Sequence, residues 1–409
     1  MFSLRYRIKK GHRIAVVGIG VAGSLVLATI GGFFEGLELA MLDQFFRLRA
    51  VPEVVVDDRI LVVTIGEEDI SAAGQWPISD ATLAELVEQL NEHQPAVIGL
   101  DLYRNLPIEP GVEQLVEVFE TTPNVIGVER VVGESVGAHN TLTQKGQTAS
   151  SDVIVDSDRK IRRGLLSVIT PSGEVRQGLA SALALRYLSN FDIVPEALDS
   201  GGLSLQLGKG RVTRFDKNAG GYVDQDAGGF QVIMNYRGDY RQFESVSMTT
   251  VLDGGLTDEM VRDRVVLVGS TAISLNDLFH TPLHGDEQVA GVYIHAHLVS
   301  QLLWLALEGR PLLRTVPDAV EWLWTMLWVA TSVVASRSVF YSKSFALGGI
   351  TLAVCRSLAA DRGWIGHHWL WAAVMGLVAA DGFADGLHTG GDGVGHWLSQ
   401  SAATKFGRF

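Results

Sequence analysis

The stretch RILVVTIG (59–66) is an apolar, β-branched run that ends in glycine, which is the pattern of a buried strand. After it comes ISDATLAELVEQLNEHQ (78–94), which begins at a Ser-Asp cap and has apolar residues at helical spacing. A second apolar run, AVIGLDLY (96–103), a second helical segment, GVEQLVEVFETT (111–122), and a third run, NVIGVERVV (124–132), follow. Continuously apolar strands that alternate with helices predict a largely parallel sheet with helices on both faces.

The next part of the chain favours hairpins. RRGLLSVITPSGEVRQ (162–177) and LSLQLGKGRVTRF (203–215) have glycines where turns are expected, and GLASALALRYL (178–188) is helical in pattern. Two later apolar stretches again predict buried strands: GGFQVIMNYRG (228–238) and DRVVLVGS (263–270). The fold class predicted is therefore an α/β domain, largely a parallel sheet, with a β-hairpin-rich insertion.

Two further segments complete this domain. The stretch from Asn140 to Ser151 is polar and predicts a surface loop. Residues 287–309 end the domain, with a helix in their second part. No proline-rich linker divides the chain, so residues 35–317 are predicted to be one domain.

The N-terminal segment contains GIGVAG (18–23), which matches the G-x-G-x-x-G fingerprint of a dinucleotide-binding turn. The flanking residues argue against a cofactor site, because the helix after a dinucleotide-binding turn has a solvent-exposed polar face. The run from Ile14 to Phe34 has no charged residue to form one. Its 21 residues suffice to cross a bilayer core of about 30 Å. Residues 1–13 are basic, so we expect them in the cytoplasm and a transmembrane helix at 14–34.

Three more apolar segments lie near the C-terminus and predict transmembrane helices at 320–336, 345–360 and 364–380. With the basic N-terminus inside, residues 35–317 would lie outside the membrane, and the basic residues after 336 would lie inside. Residues 381–409 would form a short, unstructured cytoplasmic tail. The tail has no kinase or cyclase motif, so no output enzyme is expected in this chain unless the native chain continues.

Composition limits the function classes further. The net charge of −13 argues against a nucleic-acid binder. A single cysteine, Cys355, excludes a disulfide framework and a thiolate metal site. H-E-x-x-H, the zinc-protease motif, does not occur. We therefore predict no cofactor, no metal and no catalytic residue set.

Ligands of open α/β sheets bind at the carboxyl ends of the strands, and this rule selects candidate residues. Each has a structural alternative: Asp101 can cap a turn, Ser270 and Thr271 can cap a helix or bind an anion, and Tyr236 with Arg237 can clamp a carboxylate or turn the chain. A zinc site at Asp277 and His280 is not expected, because His295 and His297 lie two residues apart and are poorly placed to share a metal ion. The candidate ligand-binding residues are Asp101, Arg104, Tyr236, Arg237, Ser270, Thr271, Asp277 and His295.

The layout and several motifs resemble the second type of CHASE sensor, the cyclase/histidine-kinase-associated sensory extracellular domain. The resemblance covers roughly residues 35–312. In place of a glycine common in relatives, this chain has Arg159, at a position that favours a positive φ. The matching stretches are DQFFRLR (43–49), VVTIGEEDISAAGQWPISD (62–80), VIGLDLY (97–103), IVDSDRKIRR (154–163), NYRG (235–238), VVLVGSTAISLNDLFHTPL (265–283) and GVYIHAH (291–297).

The resemblance implies the input half of a bacterial multi-pass receptor of the inner membrane, with its sensor domain outside. It names no ligand, so a small molecule and a protein both stay open. Helix packing in the bilayer would carry the signal to a cytoplasmic kinase or cyclase partner, and a homodimer would suit such a switch. Two alternatives stay open: a membrane-tethered hydrolase that uses Asp277 with His280 or His295, and a protein-binding scaffold.

Overall fold

The computed structural model describes residues 20, 23–24, 26–49, 56–316, 319–321, 323–324, 326–327 and 364–365. The chain divides into two compact units. One comprises Phe46–Lys217 and Asp226–Leu313, and contains the predicted α/β domain. The other comprises Met1–Phe45, Asn218–Gln225 and Arg314–Phe409.

The first unit is built on a six-stranded sheet in which all neighbouring strands run parallel. The strand order is β11-β1-β12-β2-β3-β4. The apolar runs form the central strands because both of their faces are covered. The strands are β1 (Ile60–Ile65), β2 (Val97–Asp101), β3 (Val125–Glu129), β4 (Thr148–Ser150), β11 (Glu244–Ser247) and β12 (Val265–Ser270).

Helices pack on both faces of this sheet. One face carries α3 (Asp80–Glu92), α4 (Val112–Thr121) and α7 (Met248–Leu252), whose apolar residues share one buried cluster with the strands. The opposite face carries α6 (Leu179–Leu188) and α9 (Gly291–Glu308). Shorter helices are α2 (Glu67–Ala73), α5 (Asn140–Gln144) and α8 (Asp258–Val261).

Glycines allow the second pair of helices to approach the sheet closely. A Cβ atom on Gly99 of β2 would lie 2.7 Å from Cδ1 of Leu183 in α6. A Cβ atom on Gly269 of β12 would lie 2.7 Å from Cβ of Val292 in α9. Both distances are shorter than van der Waals contact, so these two positions have room only for glycine while the helices keep their places.

The predicted hairpins form small antiparallel sheets beside the main one. The strands β5 (Arg163–Ile169) and β6 (Val175–Gln177) pair as expected, and β10 (Phe230–Ile233) joins β5. A second sheet has the order β7-β8-β9 and a third is a two-stranded hairpin, β13-β14. Their bounds are β7 (Pro195–Ala197), β8 (Ser204–Leu207), β9 (Gly210–Thr213), β13 (Leu278–His280) and β14 (Gln288–Ala290).

A buried ion cluster precedes β5. The guanidinium of Arg162 donates to Asp156 and Asp158, and Arg163 donates to the other oxygen of Asp156 at 2.8 Å. The turn before it places Arg159 at φ 67°, which confirms the positive φ expected at this position.

The polar stretch from Asn140 to Ser151 is not a loop, so that prediction was wrong. It forms α5 and the edge strand β4, which pairs with β3, and Leu142 is buried. The sheet order also differs from chain order, because β12 lies between β1 and β2, and β11 occupies the edge beside β1. Segment 228–238 contains β10, which pairs with β5 in a small antiparallel sheet and is not part of the six-stranded parallel sheet.

At the described positions of 14–34, Gly20, Gly23 and Ser24 are helical, so they form no phosphate-binding turn. The helix α1 (Glu35–Leu48) follows. Among the residues described, no helix combines the length and the apolar character needed to span a bilayer. The membrane spans therefore stay a prediction.

Several predicted segments lie outside the described residues. These are 1–13, 345–360, 381–409, part of 14–34, and most of 320–336 and 364–380. At the start of the last segment, β16 (Trp364–Ile365) pairs in parallel with β15 (Arg314–Thr315), so these two residues form a strand where a helix was predicted.

The contact between β12 and α9 yields a test. We expect Gly269→Ala to lower the free energy of unfolding by about 1–3 kcal/mol, because the new methyl group overlaps Val292. Denaturant unfolding of the full chain in detergent measures the change. Gly137→Ala is the matched control, since nothing lies within 4 Å of a Cβ atom there. Adding Val292→Ala should recover part of the loss, and strictly additive effects would contradict the proposed overlap.

Candidate functional site

A cavity of about 370 Å³ opens at the carboxyl ends of β2 and β12, beside the start of α9. The register of the sheet explains its position. Gly269 pairs with Asp101, and Val292 rests on Gly269, so His295, one turn further along the same face of α9, lies near Asp101. The lining residues are Trp76, Pro77, Asp101, Leu102, Tyr103, Arg104, Ser151, Val153, Ser270, Leu275, Asn276, Asp277, Phe279, Gly291 and His295.

Two carboxyl groups and an imidazole meet in this cavity. Nε2 of His295 lies 3.9 Å from Oδ2 of Asp101. The Asp277 carboxyl group lies against the start of α9, where a Cβ atom on Gly291 would be 2.6 Å from Oδ2. The Asp277 carbonyl also accepts a hydrogen bond of 3.0 Å from the Gly291 N–H. We call Asp101 and Asp277 the acid pair.

Burial changes the ionisation of all three groups. Desolvation raises the pKa of Asp101 to about 7. Burial, together with the charge of Asp101, raises the pKa of Asp277 to about 6. Desolvation lowers the pKa of His295 to about 4, against the attraction of Asp277. At neutral pH the imidazole is therefore uncharged, and Asp101 keeps a large share of the proton that a free carboxyl group would have lost.

Arg104 contributes the positive charge of the cavity wall. Its side chain is 4% exposed, and burial lowers the pKa of the guanidinium while Asp80 acts in the opposite direction. Nη1 lies 3.9 Å from Oδ1 of Asp80, which is longer than a hydrogen bond. Within the described chain, Nε and Nη1 of Arg104 have no hydrogen-bond partner.

The remaining wall is aromatic and apolar. Trp76 and Pro77, joined by a cis peptide bond, precede α3, and Phe279 comes from β13. The Tyr103 hydroxyl lies 2.8 Å from the hydroxyl of Ser151, which follows β4. Such a wall around a few converging polar groups is typical of small-molecule sites.

Five of the eight candidate residues meet in this cavity: Asp101, Arg104, Ser270, Asp277 and His295. Ser270 is also a local capping residue, because its hydroxyl accepts a 3.1 Å hydrogen bond from the Ala272 N–H. Thr271 does not line the cavity, and its N–H donates to the Ile65 carbonyl at 3.0 Å.

Tyr236 and Arg237 lie elsewhere in the same unit. The Tyr236 hydroxyl donates to the Ile161 carbonyl at 3.0 Å, and burial raises its pKa. Arg237 lines a separate cavity of about 20 Å³ together with His297. That volume holds about one water molecule. The structure thus places the pair apart from Asp101.

The two histidines of α9 lie in different environments, because His295 lines the large cavity and His297 does not. His297 is buried among Tyr236, Phe243 and Gln242, with Nδ1 3.1 Å from Nε2 of Gln242. Desolvation lowers its pKa to about 3. In the described part of the chain, no three His, Cys, Asp or Glu side chains are arranged to hold a metal ion.

The strand-end rule missed part of the cavity wall. The wall also contains five residues that are not among the candidates: Trp76, Pro77, Tyr103, Ser151 and Phe279. Aromatic residues next to selected polar ones were the available signal, since Tyr103 lies between Asp101 and Arg104 in sequence.

The fold is an α/β domain with a largely parallel sheet, and a cavity opens at the carboxyl ends of two of its strands. A family model described as the CHASE2 domain matches residues 16–334, which is most of the chain. The protein therefore belongs to the CHASE2 family, a family of sensory extracellular domains, and a sensory role follows from that membership. The comparisons with curated proteins and with solved structures each found no match.

The acid pair predicts a specific pH dependence. An unfolded Asp101 loses its proton near its ordinary pKa, whereas the folded one keeps it to about pH 7. The folded state binds more protons in between, so this group makes the free energy of unfolding fall as the pH rises from about 4 to 7. Asp101→Asn removes that fall. Relative to wild type, the variant should gain roughly 2–4 kcal/mol between pH 4 and pH 8.

Denaturant unfolding at a series of pH values measures this difference, and the comparison of two proteins cancels the opposite effect of the buried histidines. The exposed Asp58 offers a matched control in Asp58→Asn. Equal pH dependence of the two variants would show that Asp101 is not the group responsible.

Proposed function

We propose that this chain is a membrane-bound signal receptor whose domain outside the membrane binds a small molecule in the 370 Å³ cavity. The observation that carries the proposal is that two carboxyl groups and a guanidinium line one mostly apolar cavity. Among the described residues, Arg104 forms no ion pair with Asp101 or Asp277, although all three line the cavity. Burying such groups costs folding free energy, so a ligand is a better explanation of their presence than stability.

The route of the signal begins at α9. The helix starts at the cavity with Gly291 and contains His295, and it ends at Glu308. The chain then continues towards 320–336, a predicted span. A ligand that binds two arrangements of α9 with different affinities would shift their populations. We propose that the spans carry this shift to a cytoplasmic kinase or cyclase partner, in a multi-pass protein of the inner membrane, with a homodimer as the switching unit.

A membrane-tethered hydrolase is the second candidate, since Asp277 and His295 do share the cavity. A hydrolytic mechanism also needs an activated nucleophile. In the described residues, no hydrogen bond joins His295 to a serine or threonine hydroxyl, and the depressed pKa of His295 makes it a weak base. We therefore propose a sensor without enzymatic activity. Turnover of an ester or amide that Asp277→Ala abolishes would reverse this choice.

A cavity-filling substitution tests the sensor proposal. We expect some member of a library of amino acids, amines, sugars, organic acids and nucleosides to raise the unfolding midpoint of the full chain in detergent. Val153→Trp should abolish this rise, because Val153 lines the cavity. Val155→Trp is the matched control, since Val155 is 46% exposed and lies outside the cavity wall.

Stabilisation that survives in Val153→Trp would place the ligand elsewhere. A library without any stabilising member, together with specific binding of another protein, would favour the scaffold alternative.

A further inference from the structure

Among the residues that the structure describes, neither member of the acid pair forms an ion pair with a lysine or arginine. In the described chain, the ion-pair contact of Asp101 is with His295, whose low pKa leaves the ring neutral. No side-chain donor in that part of the chain forms a hydrogen bond with the carboxyl group of Asp101 or Asp277. Two neighbouring, largely buried carboxyl groups repel one another when both ionise, so the site favours either protons or a bound cation.

Arg104 is a positively charged side chain of the same cavity wall and, within the described chain, lacks hydrogen-bond partners for part of its guanidinium. A guanidinium has five N–H donors and its strongest partners are carboxylates, which it binds with two parallel hydrogen bonds. Arg104 is 4% exposed, and the 3.9 Å contact with Asp80 leaves its Nε and Nη1 without hydrogen bonds among the described residues. A buried guanidinium in this state favours an anionic group on the ligand.

Apolar residues line the rest of the cavity and limit the size of the ligand. They are Trp76, Leu102, Val153, Leu275 and Phe279. A volume of about 370 Å³ corresponds to about a dozen water molecules at liquid density. A molecule of about that many non-hydrogen atoms fits, with room for one apolar side chain.

We propose that the cavity binds a small zwitterion of the amino-acid class, with its ammonium group at Asp101 and Asp277 and its carboxylate at Arg104. This rests on the proposed sensor function. The neutral imidazole of His295 has a ring nitrogen free to accept a hydrogen bond from the ammonium group. The apolar wall contacts the side chain of the ligand and sets the preference among amino acids.

The test uses the full chain in detergent and the free amino acids one at a time, with calorimetric titration of those that raise the unfolding midpoint. For each binder, the N-acetyl derivative removes the ammonium charge and the decarboxylated amine removes the carboxylate. We expect each change to weaken binding to wild type by about tenfold or more.

Substitutions then assign each end of the ligand. Asp101→Asn should weaken binding of the amino acid by about tenfold and leave binding of its N-acetyl derivative nearly unchanged. Arg104→Gln should weaken binding of the amino acid but not binding of the decarboxylated amine. Asp277→Asn provides a second variant of the acid pair should Asp101→Asn fail to fold, and Asp58→Asn is the exposed control that should bind as wild type does.

The outcomes separate this proposal from the sensor function. If compounds without an ammonium group bind in a manner that Val153→Trp blocks, while amino acids do not, the ligand class is wrong and the sensor function stands. If amino acids bind equally to wild type and to both acid-pair variants, the assignment is overturned. If no compound stabilises the protein through this cavity, both proposals fail.

Discussion

The close packing of α9 against β12 at Gly269 is the constraint on which the site depends. Because Gly269 has no side chain, Val292 rests directly on the strand. The parallel register puts Asp101 beside Gly269, and one helical turn puts His295 beside Val292, so this single contact brings the imidazole to the carboxyl group. At the start of the same helix, a Cβ atom on Gly291 would lie 2.6 Å from Oδ2 of Asp277. The cavity is thus a consequence of how the helix lies on the sheet.

Local patterns in the sequence predict the strands and helices of this fold better than their arrangement in the sheet. The apolar runs that became β1, β2, β3 and β12 were predicted because a strand buried on both faces leaves a continuous signal. The short edge strands β4 and β11 were missed, since Thr148–Ser150 and Glu244–Ser247 are partly polar and too short for periodicity. The insertion of β12 between β1 and β2 is a non-local pairing that no local pattern encodes.

The candidate site was predicted in part for the same reason. The carboxyl-end rule depends on strand ends, which are visible in sequence, and it found Asp101 and Ser270. Trp76, Tyr103 and Ser151 come from loops whose approach is decided by tertiary packing. Tyr236 and Arg237 also follow a strand, but that strand belongs to the small antiparallel sheet, so the rule did not apply to them.

Within the described residues, the cavity contains carboxyl and guanidinium groups that form no ion pairs with one another, and the protein belongs to a sensory family. The central claim is that the ligand binds in this cavity. Hydrogen exchange of the full chain, with and without a compound that stabilises it, tests the claim most directly. The account predicts slower exchange at residues 101–104 and 275–280 and through the first turns of α9. Protection confined to another surface, such as β7–β9, with these segments unchanged, would contradict it.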